Sequence, residues 1–378
     1  MKDRPVNGKR SKYKSDKIQS GETLLDLEDV SKSYGSVDAL KNLNLTLTKG
    51  ECLVILGPSG AGKTTTLKVI AGLEKPNSGE IHLKGRIINN LEPKDRNMAM
   101  VFETYALYPH VSVFENLASS LIAMKLDPKQ IKVKVESIAE MLSIFPFLDR
   151  RPGFLSGGQR QRVALGRALA KPADLFLLDE PIAHLDAKLR FQMIGEFKHL
   201  QESLKISILY VTHDWREAMS LGNHVVVLNE GMVEQYGSPA EVFGRPGNTF
   251  VAQMIGDPPM NLIPGSIEKD SDSSFFRGSG IQFKLRDILE PGRVLLGIRP
   301  SRIRLGSPSE KSAVVEVYSY GKHGMNTVVS FRMGEGIYRM ELKESAKLDI
   351  GQNVPIKLEL HGVCFFNEQR QLIRVIDS

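Results

Sequence analysis

The chain lacks the long apolar runs and the cysteine pairs that mark membrane-spanning or disulfide-stabilised proteins. Its longest apolar runs, such as Cys52–Leu56 and residues 225–228, have the length of strands, whereas a helix that spans a bilayer needs about 20 apolar residues. The N-terminus is charged and has no apolar core, so we expect no secretory signal. Only two cysteines occur among 378 residues. This scarcity favours a reduced, cytosolic setting over a disulfide framework.

The net charge of +6 is concentrated at one end of the chain. Residues 1–20 contain seven Lys or Arg and two Asp, so the rest of the sequence is nearly neutral. We therefore predict that residues 1–21 form a disordered basic tail, because this segment has few apolar residues. A solvated tail is favoured over a weak contact with anionic lipid or nucleic acid, and no nucleic-acid partner is expected.

The sequence pattern predicts an α/β domain followed by a small all-β domain. Over residues 22–250, short apolar strands alternate with helices, which indicates a mainly parallel sheet with helices on its faces. The first strands are predicted at 23–30, 36–40, 42–47 and 52–56, and residues of about 104–160 are predicted to form a helical subdomain. Over residues 251–378, short strand-like runs between Gly and charged turns predict a barrel of the oligonucleotide/oligosaccharide-binding (OB) type.

A phosphate-binding loop is predicted where the fourth of these strands, 52–56, ends. Residues 57–64 read Gly-Pro-Ser-Gly-Ala-Gly-Lys-Thr between a strand and a helix, where backbone N–H groups can surround anionic oxygens. A glycine-rich surface turn is the alternative, which the flanking strand and helix disfavour. Lys63 is expected to reach the β- and γ-phosphates, and Thr64 to offer its hydroxyl to Mg²⁺. The candidate nucleotide-binding residues here are Gly57, Pro58, Ser59, Gly60, Ala61, Gly62, Lys63, Thr64 and Thr65.

Two further strand ends carry candidate catalytic side chains. The apolar run 175–178 ends in adjacent carboxylates, of which Asp179 fits a Mg²⁺ ligand and Glu180 fits the base that orients and deprotonates the attacking water. Another run, 207–211, leads into Thr212-His213-Asp214. A single histidine at a strand end is usually structural, but its place after a buried strand favours a functional role here.

A second anion-binding corner is predicted at the start of an arginine-rich helix, in the sequence Leu155-Ser156-Gly157-Gly158-Gln159. A chain with one phosphate loop does not need a second corner for the same phosphate. These residues resemble the signature of the ATP-binding-cassette (ABC) family, in which this corner closes on a nucleotide held by a second subunit. The resemblance implies that two chains bind two ATP molecules head to tail.

The resemblance also implies roles for other residues. Tyr34 matches the aromatic residue that stacks on adenine, and Asp186 in Leu185-Asp186 lies in the loop that crosses the dimer interface. His213 matches the histidine that contacts the γ-phosphate. Glu103 stands where the family has a glutamine ligand of Mg²⁺. A carboxylate keeps the ligating oxygen, loses the N–H donor and adds a charge near the γ-phosphate.

Longer segments resemble the ATPase subunits of maltose-type carbohydrate importers: residues 101–110, 186–190, 225–231, 256–261 and 296–300. The resemblance implies a peripheral ATPase on the cytoplasmic face of a bacterial inner membrane, with ATP and Mg²⁺ as cofactors. Two permease subunits would contact it between Thr104 and Asn116, and an extracytoplasmic binding protein would deliver a sugar, polyol or related solute. Residues 251–378 would then be a regulatory domain.

Two alternatives stay open at this point. The ATPase subunits are expected to form a homodimer, but Glu103, Ala183-His184 and Trp215 depart from the family pattern, which leaves a heterodimer with one altered site as the second possibility. A soluble cassette ATPase outside transport is disfavoured, because the sequence contains one cassette and no heptad run.

Overall fold

The structure is a computed structural model that describes residues 21–102, 104–183, 185–270, 273–285, 289–306, 313–323, 326–343 and 347–376. The predicted tail, Glu103 and His184 lie outside the described residues. Contacts divide the chain into two compact units, the first ending at Pro239 and the second beginning at Ala240. The boundary predicted from the sequence, 250/251, lies inside the second unit.

The first unit contains most of the helices and the parallel strands. Its strands are β1 (Thr23–Tyr34), β2 (Val37–Thr48), β3 (Cys52–Leu56), β4 (Ser78–Leu83), β5 (Arg86–Ile87), β6 (Met98–Val101), β7 (Leu175–Asp179), β8 (Ile208–Thr212), β9 (His224–Asn229) and β10 (Met232–Gly237). Its helices are α1 (Lys63–Ala71), α2 (Val113–Ala123), α3 (Pro128–Met141), α4 (Gly157–Ala170), α5 (Ala187–Leu204) and α6 (Trp215–Leu221).

A six-stranded sheet with the order β10-β9-β3-β8-β7-β6 forms the centre of this unit. All its pairs are parallel except β9 with β10. Every residue of β3, β7 and β8 is buried, as expected for parallel strands covered on both faces. The predicted mainly parallel sheet is therefore confirmed.

A second, antiparallel sheet has the order β2-β1-β4-β5. Its long strands alternate buried leucines with polar residues, the period of a strand with one buried face. The prediction of separate strands at 36–40 and 42–47 was wrong, because β2 runs through this segment. The left-handed backbone of Asp29 and Asn42, each with φ of 49°, lies where the β1–β2 register shifts, so the ladder continues past the irregularity.

Helix α1 is fixed between these two sheets. Its Leu67, Val69 and Ile70 belong to one hydrophobic core with residues of β1, β2, β3, β7, β8 and β9. At its C-terminal end the buried Arg96 donates to the carbonyls of Val69 and Ile70 at 3.0 and 2.7 Å. A cation is favourable at this end of a helix, so Arg96 helps to fix the helix that follows the predicted phosphate loop.

Three helices form the region predicted as a helical subdomain. Helix α2 begins with a capping box at Ser112, and α3 begins after Asp127, which caps its N-terminus. Helix α4 approaches both closely at Gly166, where an added Cβ would lie 3.1–3.4 Å from Leu142, Ile138 and Leu117. The described helices thus pack as one group, and α4 extends beyond the predicted limit of about residue 160.

The second unit is built almost entirely of antiparallel strands. It contains α7 (Pro239–Gly244), α8 (Thr249–Met254), β11 (Asn261–Asp270), β12 (Ser273–Gly278), β13 (Ile281–Leu285), β14 (Gly292–Ile298), β15 (Ile303–Leu305), β16 (Ala313–His323), β17 (Asn326–Met333), β18 (Gly336–Leu342), β19 (Asn353–Leu358), β20 (Cys364–Phe366) and β21 (Leu372–Val375). The strands form sheets of six and five around one core. This agrees with the predicted all-β domain of OB type.

None of the helices in the described ranges is long and apolar enough to cross a membrane.

Candidate nucleotide-binding site

The predicted site residues meet where three parallel strands end. Leu56 of β3 pairs with Thr212 of β8, and Asp179 of β7 pairs with Val211. The ladder extends one step further, because Gly57 N donates to Thr212 O at 3.3 Å and Glu180 N donates to Val211 O at 3.0 Å. The carboxyl ends of β3, β7 and β8 therefore bring three separate sequence motifs to one edge of the sheet.

The loop before α1 requires glycine at two positions for different reasons. A Cβ on Gly57 would lie 2.5 Å from the carbonyl oxygen of Leu228, so only hydrogen fits there. Gly62 has φ of 103° and caps α1 from a left-handed conformation, which glycine adopts without steric cost. Its backbone lies against Ala39, whose carbonyl oxygen would be 2.5 Å from an added Cβ. The loop is thus held between β9 and β2.

The two polar residues at the start of α1 face the carboxylates that follow β7. The Lys63 ammonium, with only 7% of its side chain exposed, donates to Pro58 O at 3.0 Å and lies 3.5 Å from Glu180 Oε1. The Thr64 hydroxyl donates to Asp179 Oδ1 at 3.1 Å, and Asp179 is 3% exposed. A buried carboxylate beside a hydroxyl is an oxygen donor set of the kind that Mg²⁺ prefers. The residues present therefore fit the predicted metal.

Glu180 connects Lys63 with His213. The His213 Nδ1 atom lies 2.7 Å from Glu180 Oε2, on the other side of the carboxylate from Lys63. Glu180 has φ of 46°, a left-handed conformation that is uncommon for a residue with a Cβ. This turn directs the carboxylate away from the strand, between the ammonium and the imidazole. The arrangement suits a base that is held in place by two neighbours.

The remaining residues predicted near the nucleotide surround this centre less closely. Tyr34 ends β1 and is 43% exposed, with Lys32 Nζ 4.9 Å from the centre of its ring. It lies at the turn before the segment of β2 that contacts Gly62. Thr65 lies in the first turn of α1 and is partly buried.

The second predicted corner and the predicted interface loop lie against each other. Ser156 caps α4, since its hydroxyl accepts from Gln159 N at 3.3 Å while Gln159 Oε1 accepts from Ser156 N at 2.9 Å. An added Cβ on Gly158 would lie 2.8 Å from Leu185, so the segment before Asp186 covers this corner. Asp186 itself caps α5 by accepting from Leu189 N at 2.9 Å. Within the described part of the chain, Ser156 and Asp186 bond to their own helix starts and not to the phosphate loop.

Arg167 was not predicted as a site residue, although it orders the segment predicted to meet the permeases. From α4 it donates to Ala106 O at 2.7 Å and Tyr105 O at 3.3 Å, and its guanidinium lies 5.2 Å from the Tyr108 ring centre. Burial lowers the pKa of this guanidinium. Tyr105 and Ala106 both have left-handed backbones. The sequence shows Arg167 as one of several arginines in α4, and only the fold reveals its partners.

Behind His213 lies a buried carboxyl group that sequence reasoning also missed. Glu217 Oε2 accepts from Tyr210 Oη at 2.9 Å and from Thr212 Oγ1 at 2.7 Å. Burial raises the pKa of Glu217, although these two hydrogen bonds act in the opposite direction. Burial and the neighbouring Glu217 raise the pKa of Tyr210 as well. These hydrogen bonds join β8 to α6. The signal for this cluster in the sequence is Glu217 itself, an acidic residue four positions after His213.

Comparison with known proteins places this site in a well-populated family. The family described as "ABC transporter" matches residues 40–183. The trehalose/maltose import ATP-binding protein MalK of Thermococcus litoralis is 39% identical over 362 residues, which cover 90% of this chain and 97% of that protein. The sn-glycerol-3-phosphate import ATP-binding protein UgpC 3 of Rhizobium etli is 43% identical, covering 86% and 94%.

Solved structures agree for the first unit. The dimeric structure of a post-hydrolysis state of the ATP-binding cassette MJ0796, bound to ADP and Pi, has a TM-score of 0.54 at 32% identity. It covers 57% of this chain and 99% of that chain. CbiO1 of Clostridium perfringens, part of the ABC transporter complex cbiONQ, has a TM-score of 0.55 at 29% identity and covers 59% and 92%.

The buried Glu217 carboxyl predicts a pH-dependent stability difference. Because the folded state raises the pKa of this group, its contribution to stability is fully present below about pH 4.5 and is lost as pH rises through the raised pKa. Glu217→Gln removes the titration and keeps a side-chain oxygen. The free energy of unfolding of the variant minus that of the wild type should therefore increase with pH. Urea unfolding of both chains between pH 4.5 and 8 measures this difference, and a pH-independent difference would contradict the assignment.

Proposed function

Because the chain belongs to the ABC transporter family and its near-full-length relatives are import ATP-binding proteins, it is an ATPase subunit of an importer, and we propose which step of nucleotide binding or hydrolysis each residue serves. The solute is proposed to be a carbohydrate, a polyol or a related compound, since relatives of nearly full length carry the names of trehalose/maltose and glycerol-phosphate importers. The observation that carries the catalytic proposal is the position of Glu180 between Lys63 and His213.

Glu180 is proposed to act as the general base of ATP hydrolysis. A base must lie within hydrogen-bond reach of the proton that it removes and must be held in orientation. His213 Nδ1 at 2.7 Å holds one carboxylate oxygen, and the turn after β7 aims the group out of the strand. When phosphate occupies the loop, Lys63 is expected to contact the β- and γ-phosphates, and His213 to contact the γ-phosphate through its exposed ring, 60% accessible here.

Nucleotide binding is assigned to the phosphate loop and its neighbours. The loop residues 57–62 and Thr65 are proposed to surround the phosphates and Tyr34 to stack on the base. Thr64 and Asp179 are proposed to hold Mg²⁺, with Glu103 as the further predicted ligand. When bound, this ion supplies positive charge that stabilises the phosphate oxygens during transfer.

The second corner is proposed to serve the partner subunit. A helix N-terminus favours anions, and one is formed by Ser156, Gly157, Gly158 and Gln159. Among the described residues, the Ser156 and Gln159 side chains bond to each other's backbone and not to the phosphate loop of the same chain. Two copies arranged head to tail would bring this corner and Asp186 to the opposite nucleotide. A homodimer is the first proposal. A heterodimer, in which this chain carries the altered site, is the second, because Glu103 and Ala183 depart from the family pattern.

The membrane partners are proposed to bind the segment between Thr104 and Asn116. Tyr108 in this segment is 54% exposed. The side chain of the buried Asn116 accepts a hydrogen bond from the Tyr108 backbone N–H and donates one to the Tyr108 carbonyl oxygen. An exposed aromatic residue on a loop with a fixed backbone is a suitable protein contact. We propose two permease subunits there, a location on the cytoplasmic face of a bacterial inner membrane, and an indirect link to an extracytoplasmic binding protein.

The first test concerns the base. Glu180→Gln should bind ATP as the wild type does but lose about 10²–10⁴-fold in hydrolysis rate, because the amide cannot accept the proton of water. Steady-state phosphate release and nucleotide titration measure the two effects. Glu196→Gln, an exposed change on α5, serves as the matched control. Wild-type turnover by Glu180→Gln would exclude this role.

The second test concerns the shared site. A Lys63→Ala chain mixed with a Ser156→Arg chain yields dimers with one intact composite site and one doubly damaged site. The mixture should therefore hydrolyse ATP faster than either parent alone. Tagged chains purified in tandem establish that mixed dimers are present. If these dimers are no more active than their parents, each chain completes its own site.

The third test concerns Glu103. Its carboxylate adds a negative charge where an amide is usual, so Glu103→Gln should change the Mg²⁺ dependence of ATP hydrolysis and raise the maximal rate. The rates are measured against Mg²⁺ concentration in the transporter purified from its native membrane. Glu140→Gln, an exposed change on α3, is the control. An unchanged Mg²⁺ dependence would show that the Glu103 carboxylate has no effect on ATP hydrolysis. The masses of the purified ATPase subunits separately distinguish the homodimer from the heterodimer.

A further inference from the structure

Arg190 lies between the two segments that flank the Glu180–His213 contact. It is the fourth residue of α5, the helix that Asp186 caps. Its guanidinium faces the backbone of the segment that follows Glu180 on one side and the residue that follows His213 on the other. Its side chain is 32% exposed, so most of the group lies inside the protein.

The contacts toward the first segment are hydrogen bonds to carbonyl oxygens. One terminal nitrogen of Arg190 donates to Ala183 O at 3.3 Å and to Leu185 O at 3.1 Å. The same segment returns to Glu180, because Ala183 N donates to Glu180 O at 3.3 Å. Arg190 therefore holds the turn that connects Glu180 with Asp186.

The contacts toward the second segment are ionic. The other terminal nitrogen lies 3.4 Å from Asp214 Oδ2, and Asp214 caps α6 directly after His213. The Nε atom is buried and has no hydrogen-bond partner among the described residues, and Glu217 Oε1 lies 4.0 Å from it. Arg190 thus pairs with the loop that carries the histidine.

Together these contacts form a closed ring. Hydrogen bonds lead from Glu180 to Ala183, from Ala183 to Arg190 and from Arg190 to Asp214. The backbone then connects Asp214 to His213, whose Nδ1 atom lies 2.7 Å from Glu180 Oε2. A planar guanidinium can reach two carbonyls and a carboxylate at once, whereas the ammonium of lysine is a point charge with a different reach. The ring therefore depends on arginine in particular.

We infer that Arg190 is a positioning residue that holds the Glu180 turn and the His213 loop in one arrangement for hydrolysis. This inference rests on the proposed roles of Glu180 and His213. It concerns the rate of the chemical step and not the binding of ATP, because among the described residues the contacts of Arg190 are to Ala183, Leu185, Asp214 and Glu217 and not to the phosphate loop or Tyr34.

The chain supplies its own spectroscopic reporter for this arrangement. Trp215 is the only tryptophan in the sequence and directly follows Asp214 at the start of α6. Loss of the Arg190–Asp214 pair should loosen this loop and expose the indole ring to a neutral quencher. Acrylamide quenching of Trp215 in the full-length chain, without nucleotide, therefore reads the position of the loop independently of activity.

The experiment compares Arg190→Met, Arg190→Lys and Asp214→Asn with the control Lys198→Met. Asparagine retains a capping oxygen at position 214 but removes the charge. Lys198 is an exposed cation further along α5 that donates to the carbonyl of Ser220. For each chain, kcat, the Kd for ATP with Mg²⁺ and the Trp215 quenching constant are measured after thermal unfolding has shown that the variant is folded.

The expected result for both Arg190 variants is a fall in kcat of about 10- to 100-fold, the effect of a small misplacement of catalytic groups, with Kd changed less than about threefold. Trp215 quenching should increase in both Arg190 variants and in Asp214→Asn but not in Lys198→Met. If Arg190→Met does not fold, Arg190→Lys and Asp214→Asn test the same prediction.

Three results would overturn the inference: kcat in the Arg190 variants equal to that of the control, a fall in ATP affinity as large as the fall in kcat, or unchanged quenching despite a lower kcat. A wild-type chain without any ATPase activity would instead contradict the proposed function, and the quenching measurement would still report whether Arg190 holds the loop.

Discussion

The in-register parallel pairing of β3, β8 and β7 brings together the three motifs that form the described part of the candidate catalytic centre. Leu56, Thr212 and Asp179 end their strands at the same level of the sheet, and backbone hydrogen bonds extend this level to Gly57 and Glu180. Because all three strands are buried along their length, a shift in register would expose apolar surface and break the ladder. The positions of the phosphate loop, the carboxylates and the histidine are consequences of this pairing.

The first helix makes the loop rigid enough to hold a highly charged ligand. Helix α1 belongs to a core that both sheets share, and Arg96 bonds its last carbonyls. The glycines of the loop then allow close contact with Leu228 and Ala39. A binding site preorganised in this way loses little conformational entropy when phosphate enters, which suits a protein that must bind and release nucleotide repeatedly.

The sequence was informative wherever a function depends on contiguous residues. The phosphate loop, the strand before it and the helix after it lie within twenty residues, and the structure has all three elements there. Helix α5 likewise begins directly after Asp186, whose side chain is a local capping signal. The prediction was wrong at β2, where separate strands were expected at 36–40 and 42–47 but pairing with β1 continues one strand past the left-handed Asn42. A local pattern cannot show that the tertiary partner compensates for such an irregularity.

By itself, the sequence predicted the chemistry of the site and determined the class of each domain, because phosphate loops, capping residues and strand periodicity are local properties of the chain. The tertiary structure alone decided how these parts are held together. Arg167 reaches carbonyls more than sixty residues away, and Arg190 reaches a carboxylate 24 residues further along the chain. Arginine is an ordinary helix residue in both places. Only the packing of α4 and α5 against their neighbours makes these two side chains specific, since hydrogen-bond partners distant in sequence leave no periodic or local signal.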